Sequence, residues 1–79
     1  MNADSCRDEL SRLTETWRSA RVRLRERKCA LLSEGKDVSE IRGDREYRAI
    51  RKEVKELAVL RRHCNARLMR CIGRVDRHE

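Results

Sequence analysis

Seventy-nine residues allow one domain at most, and a chain of this length keeps too much surface exposed to build a thick core. Hydrophobic residues make up 38%, aromatics 3% and charged residues 44%, with Phe and Pro absent, so the chain orders only if its few apolar residues are patterned. The net charge of +7 rests on 17 arginines and 4 lysines. The longest apolar runs are the four-residue stretches 29–32 and 57–60, which excludes a bilayer span, and Met1 to Asp8 carry no secretory signal.

In chain order, the first pattern is Cys6, Leu10, Leu13, Trp17, Ala20, Leu24, Arg27 and Leu31, spaced by three and four residues. This spacing predicts an amphipathic helix over about 5–34. Asp4 or Ser5 is the expected N-cap, and Gly35 is the expected left-handed residue after the C-terminus. Residues 35–44 read as the connection, with Val38 and Ile41 tucking back over the helix end, Gly43 permitting a bend and Asp44 capping the next helix. The second helix is expected over about 45–72, with Gly73 ending it and 73–79 as a tail.

The second helix repeats the pattern in Tyr47, Ile50, Val54, Leu57, Arg61, Cys64, Leu68, Cys71 and Val75. Written as heptads, both stripes occupy a and d positions. An antiparallel pairing in which facing residue numbers add to 81 matches every a with a d: Cys6 with Val75, Leu10 with Cys71, Leu13 with Leu68, Trp17 with Cys64, Ala20 with Arg61, Leu24 with Leu57, Arg27 with Val54, and Leu31 with Ile50. The expected fold is therefore all-α, a coiled-coil-like antiparallel two-helix hairpin. A single seam is marginal for stability, so the hairpin is expected either to dimerise into a four-helix bundle or to dock in a larger assembly.

Three sets of residues are candidate sites. Val59, Leu60, Met69 and Ile72 have no place in a two-helix core, and with Arg61 they are the candidate partner-binding residues of the second helix. Arg18, Arg21, Arg25 and Lys28 form a basic stripe on the first helix, and Arg48 and Lys52 one on the second, alongside Arg45 and Lys55. Such stripes suit phosphate groups, and without interleaved aromatics they suit a nucleic-acid backbone rather than its bases. Cys6 and Cys71 fall in adjacent layers at the open end and are the candidate disulfide.

A hairpin with cysteines on both helices resembles, in outline, the coiled-coil-helix proteins of the mitochondrial intermembrane space. Its gaps of 22 residues between Cys6 and Cys29 and of 6 between Cys64 and Cys71 differ from the matched spacing of that family. Ile41 and Arg42, followed after an insertion by the run Ala49-Ile50-Arg51-Lys52-Glu53-Val54, resemble the second helix of a small two-helix protein of the large ribosomal subunit, which implies RNA contact. The tripeptide Arg42-Gly43-Asp44 matches the one integrins recognise, but Asp44 is wanted as a cap.

Cys64, Cys71 and His78 stand about 10 Å apart along a helix, too far to share one zinc. No nucleophile and base are held around a pocket. The chain therefore reads as a non-enzymatic, intracellular interaction subunit without metal or cofactor, of the kind mitochondrial complexes recruit, and alternatively as an RNA-backbone-binding subunit of a ribonucleoprotein.

Overall fold

The computed structural model describes residues 3–76, with side chains through Gly73. Met1, Asn2 and His78, and the side chain of Val75, lie outside the described residues. Three helices follow in order: α1 over Ala3–Ser33, α2 over Val38–Gly43 and α3 over Arg45–Asp76. The long helices α1 and α3 pack on each other as a helical hairpin, with α2 against both near the turn. The molecule measures 60 × 17 × 16 Å, and among the described residues there is no strand.

The turn is built from local hydrogen bonds. Gly35 takes φ 85°, a conformation open to glycine without steric cost. Its N–H donates to the Leu32 carbonyl at 3.0 Å, and the N–H of Lys36 donates to that of Leu31 at 3.0 Å. Together these make a Schellman ending for α1. Asp37 then caps α2: its Oδ1 accepts from the Glu40 N–H at 2.8 Å, while the Asp37 N–H donates to Glu40 Oε1 at 3.4 Å. This reciprocal box makes a helix inside what the sequence reads as connection. Ile41 on α2 is buried and closes the end of the seam, whereas Val38 is exposed. Asp44 breaks the chain in extended conformation and starts α3, its Oδ2 accepting from the Tyr47 N–H at 2.8 Å.

The ends also differ from expectation. Helix α1 begins at Ala3, so Asp4 and Ser5 lie within its first turn rather than before it. Gly43 is part of α2, and its φ is not positive. Helix α3 continues through Gly73 to Asp76, because a single glycine costs a helix only about 1 kcal/mol, less than the surrounding turns supply.

The buried residues Cys6, Ala20, Leu31, Ile41, Ile50, Cys64 and Leu68 form a thin seam, but its register is not the expected one. Facing partners have numbers adding to between 70, for Cys6 and Cys64, and 78, for Trp17 and Arg61. Thr14 with Arg61, Glu9 with Arg67 and Arg23 with Glu53 fall between these at 75 and 76. The centre lies one heptad below 81. A slide of seven residues keeps every a level with a d, so hydrophobic burial barely distinguishes the two registers.

Arg27 does distinguish them, and Arg61 is satisfied in the observed one. In the expected register Arg27 would face Val54, and Arg61 would face Ala20. In the observed one Arg27 donates through Nε and Nη2 to the two oxygens of Asp44, both at 3.0 Å, and its Nε lies 3.4 Å from Glu46. Arg61 lies over the Trp17 ring, 4.1 Å from its centroid, and donates to Thr14 Oγ1 at 3.2 Å. Both half-buried guanidinium groups thereby find partners, which an unmatched charge in a seam needs most.

Candidate interaction surfaces

Leu60 is 51% exposed and stands on one flank of the seam. There it shares an open groove of about 510 Å³ with Leu13 from α1 and Ala66 from the next turn but one of α3. Glu9, His63, Arg67 and Arg70 line the same groove, giving an apolar floor with two arginines, a histidine and a glutamate on its rim. Arg67 bridges the helices through Nη2 to Glu9 Oε1 at 3.2 Å, while its Nε is buried with no hydrogen-bond partner. The Glu9 carboxylate, ahead of the cost of burial, raises the Arg67 pKa, so the guanidinium is firmly charged.

The other expected partner residues do not join Leu60. At 100° per residue, Met69 falls on the opposite flank of α3 from Leu60, and Val59 falls near its back. Met69 is 53% exposed and Val59 41%, so each is an isolated aliphatic of the ordinary surface kind. Ile72 is half-buried. Arg61, stacked on Trp17, is engaged inside the hairpin, which takes it out of the set offered to a partner. The single broad apolar face expected of the second helix is therefore two flanks, one of them organised as a groove.

The basic residues are also regrouped. Arg48 and Lys52 line a shallow depression with Arg42, Arg51, Lys55 and Glu56, on the side of α3 turned away from Leu57 and Leu68. Lys52 pairs weakly with Glu56 at 4.0 Å. Arg18, Arg21, Arg25 and Lys28 do not line this depression. Arg18 pairs with Glu15 at 3.7 Å, and Arg21 covers Trp17 at 4.7 Å from the ring centroid. Sequence spacing alone gave the α3 stripe without Arg42, which only the fold of α2 brings to it.

Cys6 and Cys64 meet in the seam: they are 1% and 0% exposed, and Cys64 Sγ donates to the Cys6 carbonyl at 3.5 Å. All four cysteines are thiols rather than disulfides in this structure. Burial, then the neighbouring Cys71, pushes the Cys6 thiol up. No group of three or more metal-ligating side chains is found among the described residues, and no helix of the structure is long and apolar enough to cross a membrane.

Asp44 of the Arg-Gly-Asp tripeptide is committed to Arg27 and to the α3 cap. The Arg27 guanidinium, followed by the Tyr47 N–H, holds its carboxyl below the usual range. The chain matches no protein-family model, and comparison with curated proteins and with solved structures finds no similar chain.

Proposed function

We propose that this chain is a small, basic, non-enzymatic interaction subunit, a helical hairpin that docks in a larger assembly through the groove of Leu13, Leu60 and Ala66. The observation that carries the reading is that groove's composition: aliphatic carbon from both long helices, half-buried at Leu13 and exposed at Leu60 and Ala66, bordered by the cations Arg67 and Arg70. An amphipathic helix fits such a surface, placing an aliphatic anchor against Leu60 and carboxylates toward the arginines. Buried aliphatic contact supplies the affinity, and the charges select the partner and its direction.

The test compares the wild-type chain with Leu60→Ser in cells of its native source, gently extracted and separated by size at low and at moderate salt. The wild type is expected in a high-mass fraction at both salts, and Leu60→Ser at the position of the isolated chain. Equal distribution of the two proteins would refute groove docking. Purified wild type running alone as a dimer would identify a second copy as the occupant.

A second reading, RNA-backbone binding in a ribonucleoprotein, is favoured by the depression lined by Arg42, Arg48, Arg51, Lys52 and Lys55. Phosphate contacts release counterions, so affinity would fall steeply with salt, by a log–log slope of roughly 0.7–0.9 per phosphate neutralised. Changing Arg48, Arg51, Lys52 and Lys55 together to Gln removes that slope if this reading holds, and leaves association untouched if docking through Leu60 is responsible.

A further inference from the structure

Across the seam from the Leu60 groove, a second cleft of about 280 Å³ runs between the long helices. Leu10 and Thr14 of α1 line one side of it, and Ala58, Arg61, Arg62 and Asn65 of α3 the other. Steps of three and four residues put Ala58, Arg62 and Asn65 in one row along α3, with Arg61 beside them at the seam. The Leu60 groove contains Glu9 and the basic depression contains Glu56, but no carboxylate lines this cleft. Among the described residues neither Arg61 nor Arg62 is in an ion pair. Two guanidinium charges therefore stand uncompensated at one place.

Arg61 is also held in position. Its guanidinium carbon lies 4.1 Å from the centroid of the Trp17 ring, and its Nε donates to Thr14 Oγ1 at 3.2 Å. These contacts fix the plane of the fork, while its terminal Nη nitrogens have no hydrogen-bond partner among the described residues. Ordering a long side chain is part of the cost of binding, and at Arg61 the fold has already ordered it. Asn65 adds an amide donor, and Leu10 and Ala58 give the cleft an apolar wall.

We propose that this cleft binds a phosphate monoester. A carboxylate would neutralise one guanidinium and leave the other without a counter-charge, whereas a phosphate monoester carries about −1.5 to −2 at neutral pH and offers three strong acceptor oxygens. The Nη nitrogens of Arg61 and the fork of Arg62 take those oxygens, Asn65 donates to the same group, and the ester carbon lies against Leu10 and Ala58. The site is separate from the Leu60 groove and from the basic depression, so it stands whichever of them docks the chain.

The full chain is titrated with N-acetyl-O-phosphoserine amide, with glycerol phosphate and with N-acetyl-glutamate amide, the ionic strength being held constant with chloride. Proton–nitrogen correlation spectra follow the Arg61 Nε–H and the Asn65 side-chain amide, and Trp17 emission follows the ring beneath Arg61. Either phosphate ester is expected to shift both signals saturably, and the glutamate amide to bind roughly tenfold more weakly or worse. A preference for the serine ester names a phosphorylated side chain as the source, and a preference for the glycerol ester a small molecule. Arg62→Gln, at an exposed residue, keeps the helical circular dichroism and weakens ester binding roughly tenfold or more. The Arg48→Gln/Lys52→Gln double variant of the basic depression binds as the wild type does. Since the second phosphate ionisation lies near about pH 6, affinity falls several-fold between about pH 7.5 and about pH 5.5. Shifts that fail to saturate, that the glutamate amide reproduces at the same concentration, or that persist undiminished in Arg62→Gln would each overturn the proposal.

Discussion

Replacing Leu68 with alanine is expected to loosen the seam toward its open end, whereas the same change at its neighbour Met69 is expected to do little. Leu68 is 6% exposed and Met69 53%, although the two are adjacent in a helix and similar in size. Full burial of a leucine side chain is worth about 1.5–3 kcal/mol, and Leu→Ala in a closed core costs more because a cavity remains. A two-helix seam can close partly over the gap, so the cost at Leu68 belongs near about 2–3 kcal/mol. For a chain of this size each kcal/mol moves the melting temperature by roughly 4–8 °C, so Leu68→Ala is expected to melt some ~10–20 °C lower. Met69→Ala should stay within about 0.5 kcal/mol of the wild type. Thermal melts followed by far-ultraviolet circular dichroism measure both. Equal shifts for the two variants, or a larger one for Met69→Ala, would refute the placement of the seam.

Gly35→Ala is expected to destabilise by about 1 kcal/mol, because φ 85° strains any residue with a Cβ. Gly73→Ala should be neutral or stabilising by up to about 1 kcal/mol, since Gly73 is helical and an added Cβ meets nothing within 4 Å. Denaturant titration of both variants separates a glycine required by its backbone from one that is merely tolerated. The Asp44 carboxyl is held below its ordinary pKa by Arg27 and the Tyr47 N–H, so its contribution to stability is full above the unfolded carboxylate range and is lost as pH falls through the lowered folded value. Asp44→Asn is therefore expected to melt lower at neutral pH and to show a shallower loss of stability in acid. Cys6 has its pKa raised by burial and by Cys71, so the stability it supplies is present below the unfolded thiol range and disappears as pH rises through the raised folded value. Melting temperature should decline in alkali for the reduced wild type and decline less for Cys6→Ala.

What the sequence disclosed depended on whether one residue or a relation between residues carried the information. Gly35 and Asp44 were legible as stop and start because each acts through its own backbone or side chain. Helix α2 was missed although Asp37 and Glu40 have capping-box spacing, since a six-residue helix has no hydrophobic period to announce it. The register was missed for a different reason. A heptad pattern slid by seven residues maps onto itself, and the choice shows in Arg27 reaching Asp44 and Cys64 reaching Cys6, contacts between residues far apart in the chain. The groove depends on the register in turn. Leu60 stood out as an apolar residue left over from the seam, but its company with Leu13, Arg67 and Arg70 appears only once α1 and α3 are aligned. The cysteine layer depends on it too, since Cys64, one heptad before Cys71, is the thiol that donates to the Cys6 carbonyl.

The antiparallel alignment of α1 and α3 supports the groove, and Trp17, the only tryptophan in the chain, reports on it directly. Proton nuclear Overhauser contacts from its indole ring, measured on the reduced chain, should reach the side-chain methylenes of Arg61 and of Arg21, both of which lie over that ring. Contacts confined to residues of α1, or to Cys64 in place of Arg61, would contradict the alignment and the surfaces built on it.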